Sequence, residues 1–321
     1  MSPSSFRRSA LVGLAASLVL VASACGVDLG QDVSAVRAGP GTGTPTSVVL
    51  RPESFEGTGG AVFLKEAAEA TRAVDSQKVS MTIAMAGVPL LGDVKMSVDG
   101  AFDNSTGRGT MSLDMSEFMG GLMGNGDDAR IDMILDGNDV YVRSPLFSKL
   151  GNSDAEWLKG KASDLESEDS GSTMAPGMGS DPAAYLDFLK ATGNGLEEIG
   201  REDVRGVSTT HLRTTLDLQK MIDDAPAAEK EKLKKDLEGL GAGNGFDTIP
   251  ADVWVDDDGY VRRTTLTFDF STLPAQDGDV SMKDVVMTMT LDIYDIGQPV
   301  DVEIPDPADV GVLDPSLLGG N

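Results

Sequence analysis

Lys78-Val79-Ser80-Met81-Thr82-Ile83-Ala84-Met85 carries an apolar side chain at every second position. On an extended strand successive side chains point to opposite faces. Val79, Met81, Ile83 and Met85 therefore share one face, and Lys78, Ser80, Thr82 and Ala84 the other. The same period recurs downstream. Val94, Met96 and Val98 alternate with Lys95, Ser97 and Asp99, and Met111, Leu113 and Met115 with Ser112 and Asp114. Ile131, Met133 and Leu135 follow, then Val140 and Val142. Near the end, Val285, Met287, Met289, Leu291 and Ile293 alternate with Val286, Thr288, Thr290, Asp292 and Tyr294. Each stretch reads as a strand with one apolar face. Gly87-Val88-Pro89, Asn104-Ser105-Thr106-Gly107 and Asp136-Gly137-Asn138-Asp139 separate them, and turns this short join antiparallel neighbours.

Helical spacing is confined to a few places. Phe63, Ala67, Ala70 and Val74 predict a helix over Ala61 to Val74. Asp181-Pro182 opens another, with Asp as cap and Pro in the first turn, and Leu218 to Leu240 reads as helical with a break near Pro226. Ser163 to Ser180 is an acidic, Ser- and Gly-rich insert that reads as a loop. Val204 to Leu216 reads as one strand. Asp252 to Val255 and Tyr260 to Phe270 flank the hairpin turn Asp256-Asp257-Asp258-Gly259. Nine or so strands, with helices placed between strand groups, predict one α+β domain over residues 60–310. Its expected form is a curved antiparallel β-sheet, an unclosed barrel, with helices packed on the concave face. Residues 311–321 read as a disordered tail.

The N-terminus indicates destination. Arg7 and Arg8, the apolar run Ala10 to Ala22, and Ser23-Ala24 before Cys25 make a secretory signal peptide over residues 1–24. The run is short for a permanent membrane helix. The arginine pair fits the twin-arginine pattern poorly, which favours the general secretory route. Cys25 is the chain's one cysteine, so no intrachain disulfide forms. Its setting resembles a bacterial lipobox, with Ala22 where Leu is commoner. That resemblance implies lipid on the Cys25 sulfur and an anchor on the extracytoplasmic face of the cell membrane. Residues 25–59 then form a flexible tether. Gly39-Pro40-Gly41-Thr42-Gly43-Thr44-Pro45-Thr46 has nothing to bury, and a coil of roughly 30 residues spans on the order of 30 Å.

Charge narrows the partners. The chain carries a net charge of −26, more negative once Arg7 and Arg8 leave. Such a surface disfavours nucleic acid and repels anionic headgroups, leaving acyl chains on Cys25 as the membrane attachment. No catalytic constellation stands out, and no enzyme, metal or cofactor is expected. The one His, His211, lies near no Gly-x-Ser-x-Gly elbow and reads as a strand residue beside the sheet edge. One His and a lipid-blocked Cys do not make a zinc site, and no Gly-rich phosphate loop with Lys follows a strand. Three consecutive acids at Asp256 to Asp258 lack the alternate spacing of a calcium loop. Asp258-Gly259 between two strands instead suggests a turn with both central residues at positive φ.

The closing strand runs on into Tyr294-Asp295-Ile296-Gly297-Gln298-Pro299-Val300-Asp301-Val302-Glu303-Ile304-Pro305. Ahead of it come Glu202-Asp203-Val204-Arg205-Gly206-Val207-Ser208-Thr209-Thr210-His211, then Val253-Trp254-Val255-Asp256 and Gly259-Tyr260-Val261-Arg262. Over roughly residues 60–310 this series resembles the actinobacterial cell-envelope lipoproteins of the LppX and LprG type, which share the fold of the carrier LolA. The acidic insert and the methionine content depart from that pattern. The resemblance implies an unclosed barrel around an apolar cavity, an acylated lipid or glycolipid as ligand, and an envelope transport protein as partner. The candidate lining is Met81, Ile83, Met85, Met96, Val98, Met111, Leu113, Met133, Met287 and Met289. Two readings of these residues stand side by side. Met is flexible and polarisable, suited to a wall that adapts to varied chains, and it also fills an ordinary dry core. Phe118, Met119, Leu122 and Met123, set among glycines, read as a lip at a cavity mouth or as a poorly ordered loop. The alternative function is a non-enzymatic envelope scaffold, or a protein-binding lipoprotein with a filled core.

Overall fold

The computed structural model describes residues 59–123, 129–145, 155–161, 195–224, 247–272 and 284–313, with Leu186, Leu189, Ala227, Lys230, Glu231 and Lys234 individually. The expected signal peptide, Cys25, the tether up to residue 58 and the acidic insert lie outside them. The chain runs α1 (Gly59–Arg72), β1 (Ser76–Val88), β2 (Gly92–Asp103), β3 (Arg108–Asp114), α2 (Ser116–Met123), β4 (Arg130–Asp136) and β5 (Asp139–Arg143). It continues through β6 (Trp157–Lys161), β7 (Glu197–Val204), β8 (Val207–Asp217), α3 (Leu218–Asp224), β9 (Thr248–Asp256), β10 (Val261–Asp269), β11 (Val286–Tyr294) and β12 (Val310–Val312).

Among the described residues twelve strands join one sheet in the order β12-β6-β5-β4-β3-β2-β1-β11-β10-β9-β8-β7. It has two free edges, so it is an unclosed sheet as expected. It is mixed rather than purely antiparallel, because β12 pairs with β6 in parallel. A crossover explains this: after β11, at the sheet's centre, the chain travels to the far edge before pairing. Val310 to Val312 form that edge strand, and Leu313 is buried with its N–H donating to the Lys159 carbonyl at 2.8 Å. Residues 311–313 are thus folded, against the expectation of a disordered tail starting at 311.

The β1 register carries the alternation across the sheet. Val79, Met81, Ile83 and Met85 stand opposite Ile293, Leu291, Met289 and Met287 of β11. On the other side Met81 and Ile83 face Val98 and Met96 of β2. Rows continue through Leu113 and Met111 of β3 to Met133 of β4 and Val142 of β5. All of these belong to the sheet's apolar face. Buried members of both sheet halves, from Val140 of β5 to Leu212 of β8, join one hydrophobic cluster.

Helix α1 is fastened to this cluster. Phe63, Leu64, Ala67, Ala68 and Thr71 are its buried side. Thr71 Oγ1 donates to the Ala67 carbonyl at 2.7 Å and accepts from the Val261 N–H at 2.8 Å, tying the last turn to β10. At the other end Gly60 meets Leu196 so closely that a Cβ would lie 2.7 Å from the Leu196 Cβ. Of the expected helical cover, the structure places α1 against β10 and α2 beside β2. In the Leu218 to Leu240 stretch α3 is Leu218–Asp224, and beyond Pro226 Lys230, Glu231 and Lys234 are helical as well.

Two local expectations change. The stretch read as one strand, Val204 to Leu216, belongs to a hairpin: Arg205 and Gly206 turn with φ 51 and 83 between β7 and β8. Positive φ at both positions is the two-residue type I′ turn. Strand β7 has no apolar alternation because it is a sheet edge carrying Glu197, Glu198, Glu202 and Asp203, and charge suits an edge. At Asp256 to Gly259 only Gly259 has positive φ, at 85. The Gly259 N–H donates to the Asp256 carbonyl at 3.1 Å, and Asp256 Oδ1 accepts from the Asp258 and Tyr260 N–H groups. This is a turn closed by a glycine and braced by its first acid, not the two-residue type.

Candidate functional site

Every candidate lining residue lies on the apolar face, and the structure separates them by depth. Along β1, Val79, Met81 and Ile83 are buried and Met85 is half-buried. Along β11, Ile293, Leu291 and Met289 are buried and Met287 is half-buried. Strand β2 passes from buried Val98 to half-buried Met96, with Val94 beyond it covered. On β3 and β4, Met111, Leu113 and Met133 are buried. The half-buried group also includes Met115, Ile131 and Phe270, which pack against the core cluster without joining its buried part.

Most of these partly open positions fall at one end of the sheet, interleaved there with buried Val94, Phe268 and Val285; half-buried Ile296 lies past the other end of β11, and Ile222 in α3. Antiparallel strands put the end of β1 beside the starts of β2 and β11, and the end of β3 beside the start of β4. Phe270, Met287, Met85, Met96, Met115 and Ile131 therefore form a rim across the ends of β10, β11, β1, β2, β3 and β4. Cover at this end begins with Val285 and with Phe268 of β10, which stands opposite Met287, and is complete at Leu216, Leu218 and Ile249 of β8 and β9. Helix α2 adds half-buried Phe118 and Met119. The Phe118 to Met123 segment is thus helical, next to β2, and not an irregular loop. Sequence reasoning chose Met85, Met96 and Met287 with seven buried residues and left out Met115, Ile131 and Phe270. The signal that separates them is position at a strand end, which requires the register.

The opposite face is polar. His211 of β8 is buried with both ring nitrogens occupied: Nδ1 lies 3.0 Å from Glu202 Oε1, and Nε2 2.7 Å from Asp252 Oδ1. Its ring stacks on Trp254, with centroids 4.2 Å apart and planes at 13°. Trp254 Nε1 donates to Glu202 Oε2 at 2.9 Å. This bond and the one with His211 hold the Glu202 carboxyl below its usual range. The group ties β7, β8 and β9 together, as suits a strand residue beside the edge. Next to it, Asp292 of β11 accepts from Arg263 at 2.6 and 2.8 Å and from Arg205 at 2.9 Å. Burial pushes the Asp292 pKa up, but the two guanidinium groups outweigh it and the net shift is downward. Arg205 also stacks over Tyr294 at 4.1 Å, so the β7–β8 hairpin tip is latched to β11.

A groove of about 820 Å³ opens on this polar face. Asp99, Asp132, Arg143, Trp157 and Tyr294 line it with Asp301 and Glu303, and so do Met111 and Met133 of the candidate lining. Arg143 bridges Asp132 and Glu156 at 3.0 and 2.7 Å and stacks over Trp157 at 4.5 Å. The groove mixes acidic and apolar lining, with Asp99, Asp132, Asp301 and Glu303 beside Met111, Met133 and Ile134. Among the described residues no cluster of His, Cys, Asp and Glu could hold a metal ion, and no helix is long and apolar enough to cross a membrane.

No family model matches the chain, and no curated protein does. Solved structures do. The chain is similar to the lipoprotein LppX of Mycobacterium tuberculosis, with 17% identity and a TM-score of 0.42 over 76% of this chain and 97% of that one. It is similar to LprF of Mycobacterium bovis, with 14% identity and a TM-score of 0.42 over 78% and 98%. A LolA superfamily protein of Nitrosomonas europaea follows with 12% identity and a TM-score of 0.25 over 77% and 96%.

Proposed function

We propose that this protein is a membrane-anchored envelope lipoprotein that binds the acyl chains of a lipid or glycolipid against the apolar face of its sheet and carries or presents them. The observation that carries this reading is the methionine rim. At the same end of β8 and β9 the large apolar groups Leu216, Leu218 and Ile249 are buried. At the rim Met85, Met96, Met115 and Met287 stay half-open on one side of a deep apolar face. Unbranched thioether side chains re-pack at little cost, so the rim can part for hydrocarbon. Each methylene taken from water contributes about 0.8 kcal/mol, and binding needs no covalent chemistry. Cys25, lipidated after removal of residues 1–24, holds the protein to the extracytoplasmic face, and an envelope transport protein receives the cargo.

The test is lipid recovery. The mature chain, purified without its own lipid anchor, is extracted and analysed by mass spectrometry, then offered a fluorescent acyl lipid. Co-purifying lipid and saturable uptake support the reading; an empty protein that takes up nothing removes it. The acidic groove on the polar face favours a second reading, in which the protein docks a basic segment of a partner. Crosslinking through Asp99 or Glu303 to a partner, in a protein that takes up no lipid, selects it.

A further inference from the structure

The β1–β2 hairpin tip projects beyond the rim. Met85-Ala86-Gly87-Val88-Pro89-Leu90-Leu91-Gly92 contains no charge, in a chain in which 24% of residues are charged. The Leu91 N–H donates to the Val88 carbonyl at 3.1 Å, with Pro89 second in the turn and Leu90 third at φ 69. This is a type II turn, whose third position favours Gly or Asn because φ is positive there. A leucine occupies it, and its side chain is 100% exposed. Neither the backbone nor the packing of this chain gains from Leu90. An unfavourable conformation kept at an exposed site points to a role outside the fold.

The tip is also held in place. The Gly87 N–H donates to Asp93 Oδ1 at 3.0 Å, and a Cβ on Gly87 would lie 2.3 Å from the Asp284 carbonyl oxygen. That close approach sets the tip against the segment entering β11, beside exposed Val286 and half-buried Met287. The tip therefore adjoins the rim at Met85 and Met287, with Asp93 and Asp284 beside it.

We infer that the hairpin tip inserts Leu90, with Val88, Pro89 and Leu91, into the surface of a lipid bilayer and so brings the methionine rim against the leaflet. The inference rests on the carrier reading and names the surface from which cargo enters. A bilayer suits the tip better than a protein partner does: the tip offers apolar bulk and no side-chain hydrogen-bonding group. The expected tether from Cys25 to residue 58, with a span on the order of 30 Å, keeps the domain within reach of its own membrane. Exposed Asp93 and Asp284 beside the tip favour zwitterionic over anionic headgroups.

The experiment uses the full mature chain without its lipid anchor and phosphatidylcholine vesicles whose acyl chains carry bromine. Leu90→Trp places an indole at the tip. Val312→Trp places one at an edge-strand site of similar exposure, 86%. Quenching of the tip indole at least about twofold beyond the edge indole is expected, because a single Leu-sized group buried in hydrocarbon shifts partitioning about tenfold or more. Equal quenching overturns the inference. In parallel, a fluorescent acyl lipid is offered from vesicles and as dispersed monomers. Leu90→Asp is expected to slow transfer from vesicles about tenfold while uptake of monomers keeps its parent rate. Unchanged transfer from vesicles overturns the tip and leaves the carrier reading standing. Uptake in neither format by the parent chain overturns the carrier reading, and the quenching comparison then decides the tip alone.

Discussion

The two ends of β1 carry the same alternation on the same face, yet they live in different surroundings. Val79 is fully buried at one end, facing Ile293, while Met85 at the other is half-open, facing Met287. The difference lies in what arrives from elsewhere in the chain. Near the closed end α1 is pinned to β10 through Thr71 and Val261, and across the open end only short elements such as α2 are described. A strand pattern thus identifies an apolar face without stating how deep each residue sits.

The comparison breaks most readily at α1. Leu64 is at 0% exposure in the core, and Leu64→Ala is expected to cost about 3–4 kcal/mol in urea unfolding, a transfer loss plus a cavity. Met287→Ala at the rim is expected to cost about 1 kcal/mol, because neighbours and water fill the space. Equal costs at the two ends would remove the distinction between them.

The polar face supplies the next effect. Asp292→Ala leaves Arg263 and Arg205 without their shared acceptor and is expected to cost about 2 kcal/mol. Because two arginines depress the Asp292 pKa against the effect of burial, its contribution is present above the unfolded carboxyl value near 3.9. It is lost as pH falls through the lower folded value. Parent and Asp292→Asn unfolding midpoints are therefore expected to differ at pH 7 and to converge below about pH 4.

At the rim, function and stability should part. Met85→Glu is expected to change stability by at most about 1 kcal/mol and to lower acyl-lipid retention about tenfold, read by fluorescence of bound lipid. Retained affinity would place the ligand elsewhere. The smallest effect sharpens the picture at the tip: Leu90→Gly relieves positive φ and is expected to raise stability by about 0.5 kcal/mol, seen as a higher urea midpoint.

Much of this was legible in the chain. Strong alternation named β1 to β5 and β11, turn residues named their connections, and β9 and β10 were read as the strands flanking Asp256 to Gly259. Strand β7 was missed because its acids lack an apolar period, and β6 and β12 because they are short and their pairing is decided by partners far away in sequence. All ten candidate lining residues fell on the apolar face, but the rim within that face, with Met115, Ile131 and Phe270, was invisible without the register. His211 read as a strand residue, while its clamp between Glu202 and Asp252 joins three strands separated by up to 50 residues.

By itself the sequence determined which side chains share a face, because a two-residue period belongs to any extended L-peptide. It also determined the acidic balance, the lone Cys25 behind an apolar run, and a turn at Gly87-Val88-Pro89. Only the tertiary structure decided which end of that face is closed and which stays open, because exposure depends on segments brought together from distant parts of the chain.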